Sequence, residues 1–200
     1  MFKSETEMAY NHLLHHRRSI RLHGYDYAQA GLYFITLCVQ DKAYLFGEIS
    51  DSAMILNEAG KMVEQQWLTL PQRFPTVALH PYVIMPNHFH GIIENVGATL
   101  VVAQNAKDAV TTLEQANDGN LGQGQPQGIA PTISSIISAF KSITTVEYIR
   151  GVKAKSWIAF NNRLWQRNYW EHIIRDEKEY ASICEYIQDN PLNWETDKLK

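Results

Sequence analysis

VALHPYVIMPNHFHGIIE, residues 77–94, holds two runs rich in Val, Ile and aromatic side chains, Val77–Met85 and His88–Glu94. Each has the length and β-branched content of a strand, and only the turn-forming pair Pro86-Asn87 separates them. Strands joined so tightly run antiparallel. Residues two apart on a strand face the same side. His88 and His90 therefore share one face, while Phe89 points into the opposite layer.

Moving outward, Leu32–Val39 (LYFITLCV) reads as a buried strand, and a second short extended piece is expected around Leu45–Ile49. From Leu56 to Leu70 the apolar residues Ala59, Met62, Val63, Trp67 and Leu70 follow helical spacing, with Asn57 as N-cap and Pro71 just past the end. Downstream, Ile133–Ile149 resumes that spacing through Ile136, Ile137, Phe140 and Ile143. Trp170–Arg175 reads as a short strand. Asp176 then caps a last helix running to Asp189, where Pro191 stops it. Residues 1–30 form a polar arm. Residues 96–131 turn to Gly, Gln, Asn and Ala, and GNLGQGQPQG offers no apolar face to offset the entropy of ordering it. A flexible insertion is expected there, with Thr99–Val102 a candidate for a little extra strand. The order is strand, helix, two strands, long loop, helix, strand, helix. It predicts one α+β domain over residues 1–200, with an antiparallel sheet and helices on one side, of the split βαβ kind.

At 200 residues, 45% of them hydrophobic, the chain suits a single soluble domain able to bury a core. No apolar run approaches the roughly 20 residues of a membrane span, and the first 25 residues hold no signal-peptide core. Cys38 and Cys184 read as reduced thiols, so a cytoplasmic location is expected. The net charge of −3 argues against a uniformly basic nucleic-acid binder. Its distribution does not: between Ile133 and Arg175 seven basic residues face two acidic ones, and Arg17, Arg18 and Arg21 cluster in the arm. A local positive face is therefore open.

Two constellations carry chemistry. Two imidazoles on one strand face make a metal chelate if a third ligand arrives from elsewhere; a pair of structural histidines is the competing reading, and spacing alone does not choose. In Glu185-Tyr186-Ile187-Gln188-Asp189-Asn190-Pro191, Tyr186 and Asn190 are four apart and share a helix face. A packed tyrosine and an ordinary helix-ending Asn-Pro give the bland alternative. Tyr148 is the rival nucleophile, but no amide lies four residues after it, and it reads as packing. Trp165, Tyr169 and Trp170 interleave with Arg163 and Arg167, a pattern suited to unstacked bases and their phosphates; two of the three aromatics are expected in the core. His172, among apolar neighbours, reads as structural.

Together these segments resemble the single-tyrosine HUH transposases, and within them the REP-associated tyrosine transposases. HUH stands for His, hydrophobic, His, here His88-Phe89-His90 inside VIMPNHFHGII; the family's C-terminal YIxxNP motif is met by Tyr186 to Pro191. RRSIRLHGYDY, YFITLCVQDKAYLFGEI, SAFKSITT and LWQRNYWEHIIRDEKEY extend the likeness over most of the chain except roughly residues 96–131. The resemblance implies a ferredoxin-like core, a Mg²⁺ or Mn²⁺ ion held by His88, His90 and Asn190, and Tyr186 as nucleophile. It further implies cutting and rejoining of single-stranded DNA near hairpins through a 5′-phosphotyrosine, by a monomer or homodimer. Arg17, Arg18, Arg21, Lys141, Arg163 and Arg167 are the candidate DNA contacts, with a solvated basic arm the alternative for the first three. Two rival readings remain: a domesticated hairpin-binding protein that does not cut, and a small metallohydrolase using His-x-His with an activated water. The second leaves the tyrosine motif unexplained.

Overall fold

The computed structural model describes residues 30–96 and 131–200. Arg17, Arg18, Arg21, the expected strand at Thr99–Val102 and all but the edges of the expected arm and insertion lie outside the described residues.

Strands β1 (Gly31–Cys38), β4 (Val77–Met85), β5 (His88–Asn95) and β6 (Trp170–Ile174) form one sheet in the order β4-β5-β1-β6. Every neighbouring pair is antiparallel. Helix α1 (Glu58–Leu68) connects β1 to β4, and α3 (Ile133–Lys155) connects β5 to β6. This is the split βαβ arrangement expected, and the class is α+β. Register sets the site: Cys38 pairs with His88, and Thr36 lies between His90 and Trp170.

The two faces of the sheet are covered differently. On one, Tyr33, Ile35, Leu37, Phe89 and Ile93 pack against Val63 and Trp67 of α1 and Ile136, Ile137 and Phe140 of α3. Trp67 and Phe140 lie 4.6 and 5.8 Å from Phe89, ring centre to ring centre. Gly91 makes room for this, since a Cβ there would fall 2.7 Å from the Phe89 ring and 2.9 Å from Trp67. Burying each such side chain contributes about 1.5–3 kcal/mol, so this layer is the main source of stability. On the other face, Leu32, Phe34, Val83, Ile92 and Ile174 meet the last helix, α4 (Glu177–Asp189), through Tyr180, Ile183, Cys184 and Ile187. Helices on one side, the expectation, thus describes α1 and α3; α4 lies on the opposite face. Parity explains the division. Phe89 and Ile93 project from β5 to one face, and Ile92 with Leu32, Phe34 and Val83 of the neighbouring strands makes the other apolar too, so each face demands a cover.

Three local differences from expectation have simple causes. The extended piece near Leu45–Ile49 is β2 (Gly47–Ser50), which pairs with an unforeseen β3 (Ala53–Leu56). Asp51 and Ser52 turn the chain between them with φ of 50° and 60°, the conformation of a tight hairpin turn, without the Asn-Gly signature that advertises one. Pro71 lies past the end of α1, which stops at Leu68 rather than Leu70, and sits in the first turn of a short helix α2 (Leu70–Arg73). Helix α3 runs past Ile149 to Lys155 because Gly151 packs rather than stops: a Cβ there would lie 2.2 Å from Trp157. The stop is Ser156, left-handed at φ 57°.

Candidate active site

His88 and His90 project from β5 onto the α4 face, as strand parity demands, with ring centres 4.7 Å apart and both residues buried. Each ring is fixed from behind. Nδ1 of His88 donates to Asn87 Oδ1 at 2.7 Å, and Nδ1 of His90 lies 2.8 Å from Thr36 Oγ1 on β1. Phe34 stacks on His90 at 5.3 Å. With its proton on Nδ1, His88 presents the Nε2 lone pair toward α4, and His90 does the same when its Nδ1 donates to Thr36 Oγ1, the arrangement by which outer partners orient a metal-binding histidine. Burial also holds both rings neutral. It pushes His88 down to about 4, against the opposing pull of Asp197 and Asn190. His90 falls well below the ordinary histidine value through burial and then its neighbour His88.

Helix α4 brings the second half. Asp176 caps it by accepting from Glu179 N at 2.8 Å, and His172 Nε2 pairs with Glu179 Oε1 at 2.6 Å, tying the helix to β6. His172 is thus structural. Ile187 fills the gap between Ile92 and Ile174. Tyr186 and Asn190, either side of that anchor, face the histidines. The Tyr186 hydroxyl donates to His90 Nε2 at 3.2 Å, and its ring meets Phe34 edge-on. Burial raises the phenol's pKa, with Asn190 opposing. Tyr186 is nonetheless 46% exposed, so its oxygen can be reached from solvent.

Asn190 is buried, and its Oδ1 has no hydrogen-bond partner. Neither does His88 Nε2. Two buried atoms with free lone pairs are expensive to leave unmet, at about 1–3 kcal/mol each. This donor set fits a divalent cation. Among the described residues no three His, Cys, Asp or Glu side chains lie close enough together to form a ready ligand set by themselves. One further side chain joins it that spacing did not signal: Asp197, three residues after Trp194, whose Oδ2 lies 3.4 Å from His88 Nε2 and also lacks a hydrogen-bond partner.

The cluster opens into a cleft of about 740 Å³ that Phe34, His90, Trp170 and Tyr186 share with the loop carrying Gln166 and Asn168. Of the three interleaved aromatics, Trp165 is core, donating to Thr144 Oγ1 at 2.8 Å, and Tyr169 packs against the core with its hydroxyl on Glu171. Trp170 alone of the three is exposed, at the cleft. Arg163 and Arg167 are exposed on the same loop. Lys141 is committed elsewhere: its ammonium donates to the carbonyls of Gln166 and Arg167, bracing that loop from α3. Tyr148 is buried among the α1 and α3 layer, donates to the Ile158 carbonyl at 2.9 Å, and is pushed up to about 12 by burial. The sheet separates it from the histidines.

No family model matches the chain. It is 44% identical over 193 residues to an uncharacterized protein of Haemophilus influenzae, covering 95% of this chain and 96% of that one. A second Haemophilus influenzae protein, provisionally named a REP-associated tyrosine transposase, is 28% identical over 169 residues, 84% of this chain and 73% of that one. Among solved structures, a REP-associated tyrosine transposase bound to a REP hairpin superposes with a TM-score of 0.51 at 18% identity, covering 90% of this chain and 77% of that one. That likeness is one of fold.

Proposed function

The chain belongs to the REP-associated tyrosine transposase family, and from that premise we propose that it is a metal-dependent nuclease and strand transferase. Its substrate is single-stranded DNA beside a hairpin, cut through a 5′-phosphotyrosine and rejoined. The observation that carries the reading is the convergence of Tyr186 Oη on His90, beside the unmet lone pairs of His88 and Asn190, at the wall of an open cleft.

His88, His90 and Asn190 would hold Mg²⁺ or Mn²⁺, which supplies Lewis-acid polarisation of the scissile phosphate. Tyr186 Oη forms a bond to phosphorus while the bond to the 3′-oxygen breaks, leaving DNA on the tyrosine and a free 3′-hydroxyl. The phenolic proton leaves to solvent at the open mouth of the cleft. Because burial raises the phenol's pKa above its ordinary value near 10, ionisation would need the help of a nearby cation or base. Attack by a second strand's 3′-hydroxyl reverses the step without loss of bond energy. Trp170 would stack on an unpaired base, and Arg163 and Arg167 would meet phosphates along the same loop.

Labelled hairpin DNA with a single-stranded flank, incubated with Mn²⁺ and run on a denaturing gel, should yield a protein-linked product. Tyr186→Phe should abolish both adduct and cut strand while binding Mn²⁺ as tightly as wild type, and Tyr148→Phe should cut normally. Cutting by Tyr186→Phe would replace the covalent mechanism with a metal-activated water. Hairpin binding without any cutting by wild type would favour the domesticated, non-cleaving alternative, and equal competition by blunt duplex would remove the single-strand preference.

A further inference from the structure

The segment following α4 returns across the histidines. Trp194 stacks near His88 with ring centres 6.1 Å apart, Asn87 Nδ2 donates to the Leu199 carbonyl at 2.9 Å, and Lys42 Nζ donates to the Lys198 and Lys200 carbonyls at 3.2 and 3.0 Å. These ties place Asp197 over the site, with only 8% of its side chain exposed. Its Oδ1 accepts from Leu199 N at 2.7 Å, a local turn that leaves Oδ2 to point inward. Oδ2 then faces His88 Nε2 at 3.4 Å, and neither atom has a hydrogen-bond partner.

That juxtaposition is informative. The His88 proton is on Nδ1, drawn there by Asn87. Nε2 and the carboxylate therefore present lone pairs to each other, an arrangement with no proton between them to make it attractive. Asn190 Oδ1 adds a third atom with an unmet lone pair to the same cluster. Burying electron-rich atoms side by side is unfavourable by itself and becomes favourable when a cation sits among them. Carboxylate oxygen is also the donor that hard ions such as Mn²⁺ and Mg²⁺ prefer.

We propose that Asp197 is a further ligand of the divalent cation, supplied by the segment after α4 and adding a negative charge to the His88, His90 and Asn190 set. This rests on the metal reading above. It implies a site with one anionic ligand, whose affinity depends on that segment staying folded over β5.

Calorimetric titration of the full chain with MnCl₂ tests it, with wild type, His88→Ala, Asp197→Asn and Asp197→Glu compared. Asparagine preserves the acceptor for Leu199 N, so a merely structural role would survive in Asp197→Asn. The expected result is loss of binding in His88→Ala, about a tenfold or greater weakening in Asp197→Asn, and at least partial recovery in Asp197→Glu. Thermal melts of the metal-free proteins, expected to be alike for wild type and Asp197→Asn, show that the fold is kept. Loss in His88→Ala with wild-type or tighter binding in Asp197→Asn overturns the role of Asp197 and leaves the metal reading intact. No Mn²⁺ binding by wild type overturns both.

Discussion

His88 and His90 have been moved far from their behaviour in water by burial, and the consequence is measurable without any substrate. In the unfolded chain a histidine takes up a proton near pH 6.5; folded, His88 resists until about pH 4, and His90 shifts in the same direction. Between those values the unfolded state binds more protons, so stability falls as pH drops. Above pH 6.5 both states are neutral and nothing is lost. Metal-free protein should therefore hold its urea midpoint from pH 8 to about 6.5 and then lose stability, each site steepening the decline by up to about 1.4 kcal/mol per pH unit. His88→Gln, less stable to begin with, should show a shallower decline; equal slopes in the two proteins would mean that His88 is not held neutral. The same neutrality keeps both Nε2 lone pairs available at physiological pH. One of them faces the Tyr186 hydroxyl at 3.2 Å, so in the proposed mechanism the phenol and the cation would compete for His90.

Helix α4 is where packing and chemistry are hardest to separate. Ile187 anchors it on Ile92 and Ile174, with Tyr186 immediately before and Asn190 three residues after. Ile187→Ala should cost about 2–5 kcal/mol in urea unfolding and also lower adduct yield per folded molecule, because the cavity loosens the two residues that flank it. Unchanged yield after correction for folded fraction would show that the helix is positioned by its Asp176 cap and His172 contact instead. The elements themselves were largely legible. β-branched runs gave β1, β4, β5 and β6, and the Asn57 and Asp176 caps began their helices as expected, accepting from Gly60 N and Glu179 N. Parity placed His88 and His90 together, and helical spacing placed Tyr186 with Asn190. What failed to show was tertiary in origin. Helical spacing is legible only as far as Ile149, and the packing of Gly151 against Trp157 lies beyond it; Lys141 looks like a free cation until two carbonyls are seen on its ammonium. Asp197 sits in a stretch with no period at all; the hydrogen bonds of Asn87 and Lys42 to that segment and the packing of Trp194 on His88 bring it over β5, and no local pattern encodes them.

Over the whole molecule, a net charge of −3 means that the proposed recognition of DNA would fall to local surfaces, such as the loop before β6 that carries the exposed Arg163 and Arg167. The assembly of the site bears on how many chains are needed. A tyrosine delivered by a partner would leave its own chain's histidines without a phenol. Here Tyr186 Oη is 3.2 Å from His90 of the same chain, on a helix fastened to the same sheet by Ile187, by His172 to Glu179 and by Tyr180 Oη to His80 at 3.0 Å. Exchanging α4 between copies would require every one of these contacts to be released and rebuilt with the partner's helix. The nucleophile and the metal set should therefore act within one chain, whether the protein is a monomer or a homodimer. Mixing Tyr186→Phe, which keeps the ligands, with His88→Ala, which keeps the tyrosine, tests this directly. The mixture should form no adduct on hairpin DNA with Mn²⁺ at any ratio, even after joint unfolding and refolding to allow subunit exchange. Recovery toward about a quarter of wild-type adduct, the yield of random pairing in a dimer whose tyrosine acts on the partner's histidines, would show that the site is shared between chains.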